Sequence, residues 1–314
     1  MRYISDLKIG DHVSGIFLCK SKSSAVTKTG KPYDSMVLQD KTGAIDGKIW
    51  DVGSAGIADF DALDYVDIVA DVVDFNGPQL NVKRVRVCSE GEYDPKDYLP
   101  VSSRDIDEMY KELLGFIEGV SNRYLNALLK EFFVKDTEFI KKFRFSSAAK
   151  SVHHCFVGGL LEHTVSVAGL CRQYAKKYDF LKGDLLITAA LLHDVGKVRE
   201  FSAFPENDYT DEGNLLGHIV MGAEMIGEKA KEIDGFPKSL ENELKHCILA
   251  HHGKLEFGSP KKPALAEAVA LNYADDLDAK MESFKEILFS TSDTGWLGFN
   301  RLFESNLRAT KAEE

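Results

Sequence analysis

Near residue 92 the hydrophobic pattern changes from alternation to helical spacing, so the sequence calls for a β unit followed by an α unit. Before that point, short alternating or β-branched runs cover 11–18, 33–39, 44–50, 65–75 and 79–87. Turn signals separate them at Lys28-Thr29-Gly30-Lys31-Pro32, Asp40-Lys41-Thr42-Gly43 and Asn76-Gly77-Pro78. A polar stretch over 89–97 reads as a linker, and from Ser102 everything outside loops reads as helix. Ser102 or Ser103 is the expected N-cap before Ile106, Met109, Leu113, Leu114 and Ile117.

Five strands in under a hundred residues predict a small Greek-key barrel, of which the OB-fold is the commonest five-stranded form. The fold expectation is therefore multi-domain: an all-β OB-fold barrel over 1–92, a linker and helical connecting segment over 93–148, and an all-α domain over 149–314. At 314 residues the chain is long enough for two cores.

Composition narrows the setting. No apolar run approaches the roughly 20 residues that span a bilayer, and the charged first residues carry no secretory apolar region. The five cysteines (Cys19, Cys88, Cys155, Cys171, Cys247) are scattered and form no C-x-x-C pair, which suits reduced thiols in a cytoplasm. A formal net charge of −11 weighs against broad attraction to nucleic acid or anionic membrane. It leaves room for a local basic groove, and a site for divalent cations concentrates carboxylates in any case.

Eight of the nine histidines lie between His153 and His252. His163 falls within a helical run over 161–178, on a face with Val167 and Leu170. His193-Asp194 ends an apolar run over 185–192, with Gly196 as the expected helix stop. His218 opens a helix after Gly213 and Gly217, His251-His252 closes another before Gly253, and Asp275 continues a face with Ala264, Ala268 and Leu271. Taken singly, each reads as readily as a hydrogen-bonded core group or a solvated helix cap. Imidazole and carboxylate sit poorly on apolar faces unless paired or bound to metal, and convergence on a cation satisfies all of them together. Nitrogen and oxygen donors without thiolates fit Mn²⁺, Fe²⁺ or Zn²⁺.

In this order, His163, His193-Asp194 and Asp275 resemble the H…HD…D signature of the HD phosphohydrolase superfamily. With His218 and His251-His252 they resemble the longer pattern of its binuclear members, including HD-GYP phosphodiesterases, as does His193-Asp194-Val195-Gly196-Lys197. Ala148–His154 (148–154), the run 158–164 and Tyr209-Thr210 followed by Leu216-Gly217-His218 are similar to the YhaM family, 3′-to-5′ exoribonucleases with an OB domain before an HD domain. That resemblance spans nearly the whole chain. It implies His163, His193, Asp194 and Asp275 as ligands of one metal, with Asp194 bridging to a second held by His218, His251 and His252. Asp276 and Asp278 are neighbouring alternatives for Asp275, which the A-D-x-L-D-A run favours. Manganese is the expected ion.

The expected activity is hydrolysis of single-stranded RNA, with single-stranded DNA as a further substrate, to nucleoside 5′-monophosphates. Asp194, His193 and Lys197 are the expected catalytic group; Lys197 reads either as binding a phosphate oxygen or as an ordinary solvated lysine at a helix end, and His153 and His154 either orient substrate and supporting groups or merely pack. The resemblance also implies a homo-oligomer, and the lack of a bilayer-length apolar run implies no membrane partner. In the barrel, Ile45, Gly47 and Ile49 share one face of their strand, and Asp46, Lys48 and Trp50 the other. Lys31, Tyr33, Lys48 and Trp50 are the candidate nucleic-acid contacts, supported by Lys20, Lys22, Lys28 and Lys41; core burial is the competing reading of Trp50. The second half of the barrel, with Asp51, Asp59, Asp61, Asp64, Asp67, Asp71 and Asp74, is acidic. Two other functions share these features: a phosphodiesterase or phosphatase for nucleotides or cyclic dinucleotides, and an OB-fold binding protein with an inactive HD domain. A strand-binding barrel argues against the first, an intact ligand set against the second.

Overall fold

Alternation builds the first unit. The computed structural model describes residues 2–75, 77–150, 154–289 and 295–310. Strands β1 (His12–Val26), β2 (Pro32–Asp40), β3 (Gly43–Ile49), β4 (Tyr65–Asp74) and β5 (Pro78–Val87) close into a barrel of order β1-β2-β3-β5-β4. All pairs are antiparallel except β3 with β5. This is the five-stranded OB-fold barrel expected from the pattern. Its core is the inward half of each alternation, including Val13, Phe17, Met36, Leu38, Ile45, Ile49, Val66, Ile68 and Leu80.

β1 runs well past the expected end at 18. Its first half pairs with β4 and its second with β2, and an irregularity between Cys19 and Ser21 bends it from one neighbour to the other. The serines and lysines of the second half hide this continuation from a reading based on hydrophobic alternation. Gly47 sits where a Cβ would lie 3.0 Å from Met36 Cγ, so the barrel wall closes on a residue without a side chain.

The segment after β5, polar in sequence, is packed. Tyr98 and Leu99 are buried with Leu18 and Tyr65 of the barrel, and Tyr93 stacks on Tyr65 with ring centroids 3.7 Å apart. Beyond it come α1 (Ile106–Glu118), α2 (Arg123–Lys130), one π-helical turn (Glu131–Lys135) and α3 (Thr137–Phe145). Asp105, not Ser102 or Ser103, caps α1 by accepting from the Glu108 N–H at 2.9 Å. Ser102 instead donates to the Glu162 carboxylate at 2.5 Å.

The remaining helices are α4 (Gly159–Lys177), α5 (Gly183–Leu192), α6 (Lys197–Glu200), α7 (Asp211–Lys231), α8 (Lys238–Ala250) and α9 (Ala266–Phe289). α5 is apolar all round, and every residue from Leu185 to Leu192 is buried, so it forms the axis on which the others pack. Residues of α1, α2 and α3 share one hydrophobic core with those of α4, α5, α7, α8 and α9. Ala264, expected on the Asp275 face, lies ahead of α9. The helical reading also fails at the end of the chain, where β6 (Trp296–Asn300) and β7 (Ser305–Arg308) form an antiparallel hairpin. Among the described residues no helix is long and apolar enough to cross a membrane.

Candidate metal centre and nucleic-acid face

The ends of three helices and the faces of two others meet beside the C-terminus of α5. His193 follows α5 directly, and its Nδ1–H turns back to the Ala190 carbonyl at 2.7 Å. His251 does the same after α8, with Nδ1 2.7 Å from the Ile248 carbonyl. Each ring thereby donates to a carbonyl of the last helical turn. His163 projects from α4, Asp275 from α9, and His218 from the start of the second half of α7.

Every one of these histidines has Nδ1 occupied and Nε2 turned to the centre. His163 Nδ1 lies 2.7 Å from Asp278 Oδ2, His218 Nδ1 3.0 Å from Glu200 Oε1, and His252 Nδ1 2.9 Å from the Phe257 carbonyl. Acceptors at Nδ1 fix the tautomer and leave an Nε2 lone pair pointing inward, as metal-ligating imidazoles require.

Asp194 divides the inward atoms into two groups. Its Oδ2 lies 3.3 Å from His193 Nε2 and 3.6 Å from His163 Nε2, and Asp275 Oδ1 is 3.1 Å from the same His163 atom. Its Oδ1 lies 3.4 Å from His218 Nε2 and 3.7 Å from His251 Nε2. His163, His193 and Asp275 have ligand atoms close enough to share one ion, and so do His218, His251 and His252.

The unmet bonding needs of the centre fit a cation. Asp194 Oδ1, His218 Nε2 and His251 Nε2 are buried and have no hydrogen-bond partner among the described residues, and Asp194 and His251 are 2 % and 0 % exposed. Burial disfavours charge on Asp194, yet Lys197, His193 and His218 hold its carboxyl well below the usual range. Asp275 and Asp278 are likewise lowered against burial, chiefly by His163 for the one and by His154 and His163 for the other. Glu200 is lowered, against burial, by His218. Asp194, Asp275 and Glu200 thus act on one lysine, Lys197. Without a cation His163 takes up the difference: burial opposes its protonation, but Asp275 and Asp278 push its pKa up to about 10. His251 and His252 are held neutral, by burial first and then by neighbouring imidazoles, so their lone pairs are free at neutral pH.

All seven candidate ligands therefore come together. Lys197 Nζ lies 2.6 Å from Asp194 Oδ2, its side chain 14 % exposed, so it is an ion-pair partner inside the site and no solvated helix-end lysine. His154 reaches Asp278 Oδ2 at 3.1 Å; His153 lies outside the described residues. Asp276 pairs with Lys280 at 2.7 Å, away from the centre.

Two residues support the ligands from behind: Asp278, which the sequence offered only as an alternative ligand to Asp275, and Glu200, which it did not single out. Asp278 accepts from His163, His154 and Ser166, and so backs the first group of ligands without facing it. Its signal was its place three residues after Asp275, on the same helix face. Glu200 gave no signal of its own beyond following Asp194 by less than two helical turns.

Gly196 also differs from expectation. It has helical φ of −62° and starts α6, so it stops nothing. A Cβ there would lie 2.0 Å from the His218 carbonyl oxygen. Glycine is required because α7 crosses at that point and brings His218 against Asp194.

Residues 160–280 match the HD domain. This HD domain holds all seven candidate ligands and is of the metal-dependent phosphohydrolase type. The chain is also similar to the second OB-fold domain of replication protein A from Methanococcus maripaludis. That similarity is 21 % in sequence, covers 30 % of this chain and 100 % of that one, and has a TM-score of 0.22.

Ahead of the HD domain, the outer face of β2 and β3 carries an aromatic pair with a cation. Tyr33 and Trp50 stack with centroids 5.0 Å apart, and Lys48 Nζ lies 5.6 Å from the Tyr33 ring centre. Trp50 is 43 % exposed, which removes core burial as its explanation. Lys31 is exposed in the preceding turn, and no contact joins it to this cluster among the described residues. Lys22 and Lys41 are committed elsewhere: Lys22 donates to the Phe60 carbonyl at 2.7 Å, and Lys41 pairs with Asp97 at 2.9 Å.

Proposed function

We propose that the protein is a metal-dependent 3′-to-5′ exonuclease that shortens single-stranded RNA, and single-stranded DNA as well, to nucleoside 5′-monophosphates. The observation that carries this reading is the division of the Asp194 carboxylate between two groups of donors, in a chain whose barrel exposes the Tyr33–Trp50 pair beside Lys48. Residues 1–92 act as the substrate handle and 149–314 as the catalytic part, joined through 93–148.

His163, His193, Asp275 and Asp194 Oδ2 would hold one divalent ion, with manganese the first choice. His218, His251, His252 and Asp194 Oδ1 would hold a second. Such a pair lowers the pKa of water, neutralises phosphate and stabilises a leaving oxygen. Asp194 keeps both groups of donors in register. Lys197, already inside the site, offers a point charge to a non-bridging phosphate oxygen. The stacked Tyr33 and Trp50 rings offer a platform for bases without sequence preference, and Lys48 meets the backbone. The free cysteines among the described residues, four of them buried, suit a reducing cytoplasm.

The test is incubation of the Mn²⁺-supplemented protein with 5′-labelled single-stranded RNA, with Asp194→Asn as the inactive control. A descending ladder supports the proposal. An intact strand alongside an opened cyclic dinucleotide would assign the centre to small phosphodiesters instead. No hydrolysis of either, with strand binding retained, would leave only a binding protein.

A further inference from the structure

We propose that Glu200 is the positioning residue of the second cation site, setting the affinity of His218 for its ion while touching neither ion nor substrate. This rests on the two-cation reading above. α7 is broken at Gly217, where φ is 72° and ψ 155°, so His218 begins a new helical run whose first N–H groups have no carbonyl one turn back. Glu200 Oε1 accepts the His218 backbone N–H at 2.9 Å and lies 3.0 Å from its Nδ1. One carboxylate oxygen thus caps the helix start and orients the ring that the start presents.

Glu200 is itself locked in place. It is 6 % exposed, its carbonyl accepts from the Thr210 N–H at 2.9 Å, and a Cβ on Gly213 would lie 2.2 Å from that carbonyl oxygen. As the last residue of α6, it ties the turn bearing Asp194 and Lys197 to the helix bearing His218. Within the second group of donors the dependence is specific to His218. His251 and His252 send Nδ1 to the main-chain carbonyls of Ile248 and Phe257, whereas His218 sends it to a side chain. An ionised acceptor at Nδ1 also makes Nε2 a stronger donor to a cation than a carbonyl acceptor does.

Mn²⁺ titration of the chelator-stripped full chain, followed by calorimetry and electron paramagnetic resonance, tests this. Wild type is expected to bind two ions and to show the spectrum of a coupled pair. Glu200→Ala should weaken the second ion about 100-fold and Glu200→Gln about tenfold, the range typical of lost outer partners of metal ligands. The first ion should bind as in wild type, and the coupled spectrum should give way to that of isolated Mn²⁺. Circular dichroism checks folding, and if Glu200→Ala does not fold, Glu200→Gln alone carries the test. A folded variant that binds the second ion as tightly as wild type overturns the role of Glu200, as does equal weakening of both ions. A wild-type protein that binds only one ion overturns the two-cation reading itself.

Discussion

Asp278 Oδ2 lies 2.7 Å from Nδ1 of His163, on the opposite side of the ring from the nitrogen that faces Asp194. The pair makes His163 a directed donor: its proton is held at the back and its lone pair is aimed forward. Replacing Asp278 by Ala should therefore weaken the first cation about 10- to 100-fold, while Asp278→Asn, which still accepts a hydrogen bond, should cost less. Mn²⁺ affinity of the two variants, measured side by side, checks the order. Equal affinity in both variants and wild type would remove Asp278 from the account.

The same geometry has a pH signature in the cation-free protein. His163 has a folded pKa of about 10 against an ordinary value of 6.5, set by Asp275 and Asp278 against burial. A raised value means that this stabilisation is fully present below about pH 6.5 and is lost as pH rises through about 10. The Asp275 and Asp278 values are lowered, so their own titration acts only in acid. Urea midpoints of the stripped protein should fall between pH 6.5 and 10, and should fall less when Mn²⁺ holds His163 neutral. Uptake of Mn²⁺ at pH 7 should accordingly release protons, which calorimetry in buffers of different ionisation enthalpy reads directly.

Gly196→Ala tests why the two halves of the site stay together. The new methyl would meet the His218 carbonyl at 2.0 Å, so α6 and α7 must separate. Overpacking of this kind costs about 1–3 kcal/mol, or more where the obstacle is main chain. Thermal unfolding should show a lowered midpoint and Mn²⁺ titration a weakened second ion. An unchanged melting curve would mean that the helices yield easily there.

Trp50→Ala should separate binding from chemistry. Loss of one stacking platform is worth about 1–3 kcal/mol, or roughly 5- to 150-fold in affinity for a single strand. Stability should change little, because the side chain is half-exposed and its partner Tyr33 lies on the outer face. Fluorescence anisotropy of a labelled oligonucleotide measures the first and thermal melting the second. Unaltered affinity in a Tyr33→Ala, Trp50→Ala double variant would move the strand to another surface.

Much of this is visible in the sequence because the residues concerned have few other uses. Alternation places five strands close to where they lie, and the histidines and aspartates singled out by their order along the chain do come together. What stays hidden has an ordinary local appearance. Glu200 looks like a solvated helical carboxylate and Asp278 like an alternative to Asp275, and only the crossing of α7 and the packing of α9 set them behind the imidazoles of His218 and His163. Gly196 looks like a helix stop because the backbone that needs its missing side chain belongs to another helix. Lys22 and Lys41 look like groove cations until the Phe60 carbonyl and Asp97 come beside them. The continuation of β1 beyond Leu18 is polar, and its strand character comes from pairing with β2.

Exonucleolytic hydrolysis at a strand end is tested most directly in ¹⁸O-water. Single-stranded RNA treated with the Mn²⁺-loaded protein should yield nucleoside 5′-monophosphates carrying one ¹⁸O in the phosphate, while the remaining strand shortens from a free 3′ hydroxyl. Internal fragments, free nucleosides, or an untouched strand beside hydrolysed cyclic dinucleotide would contradict it.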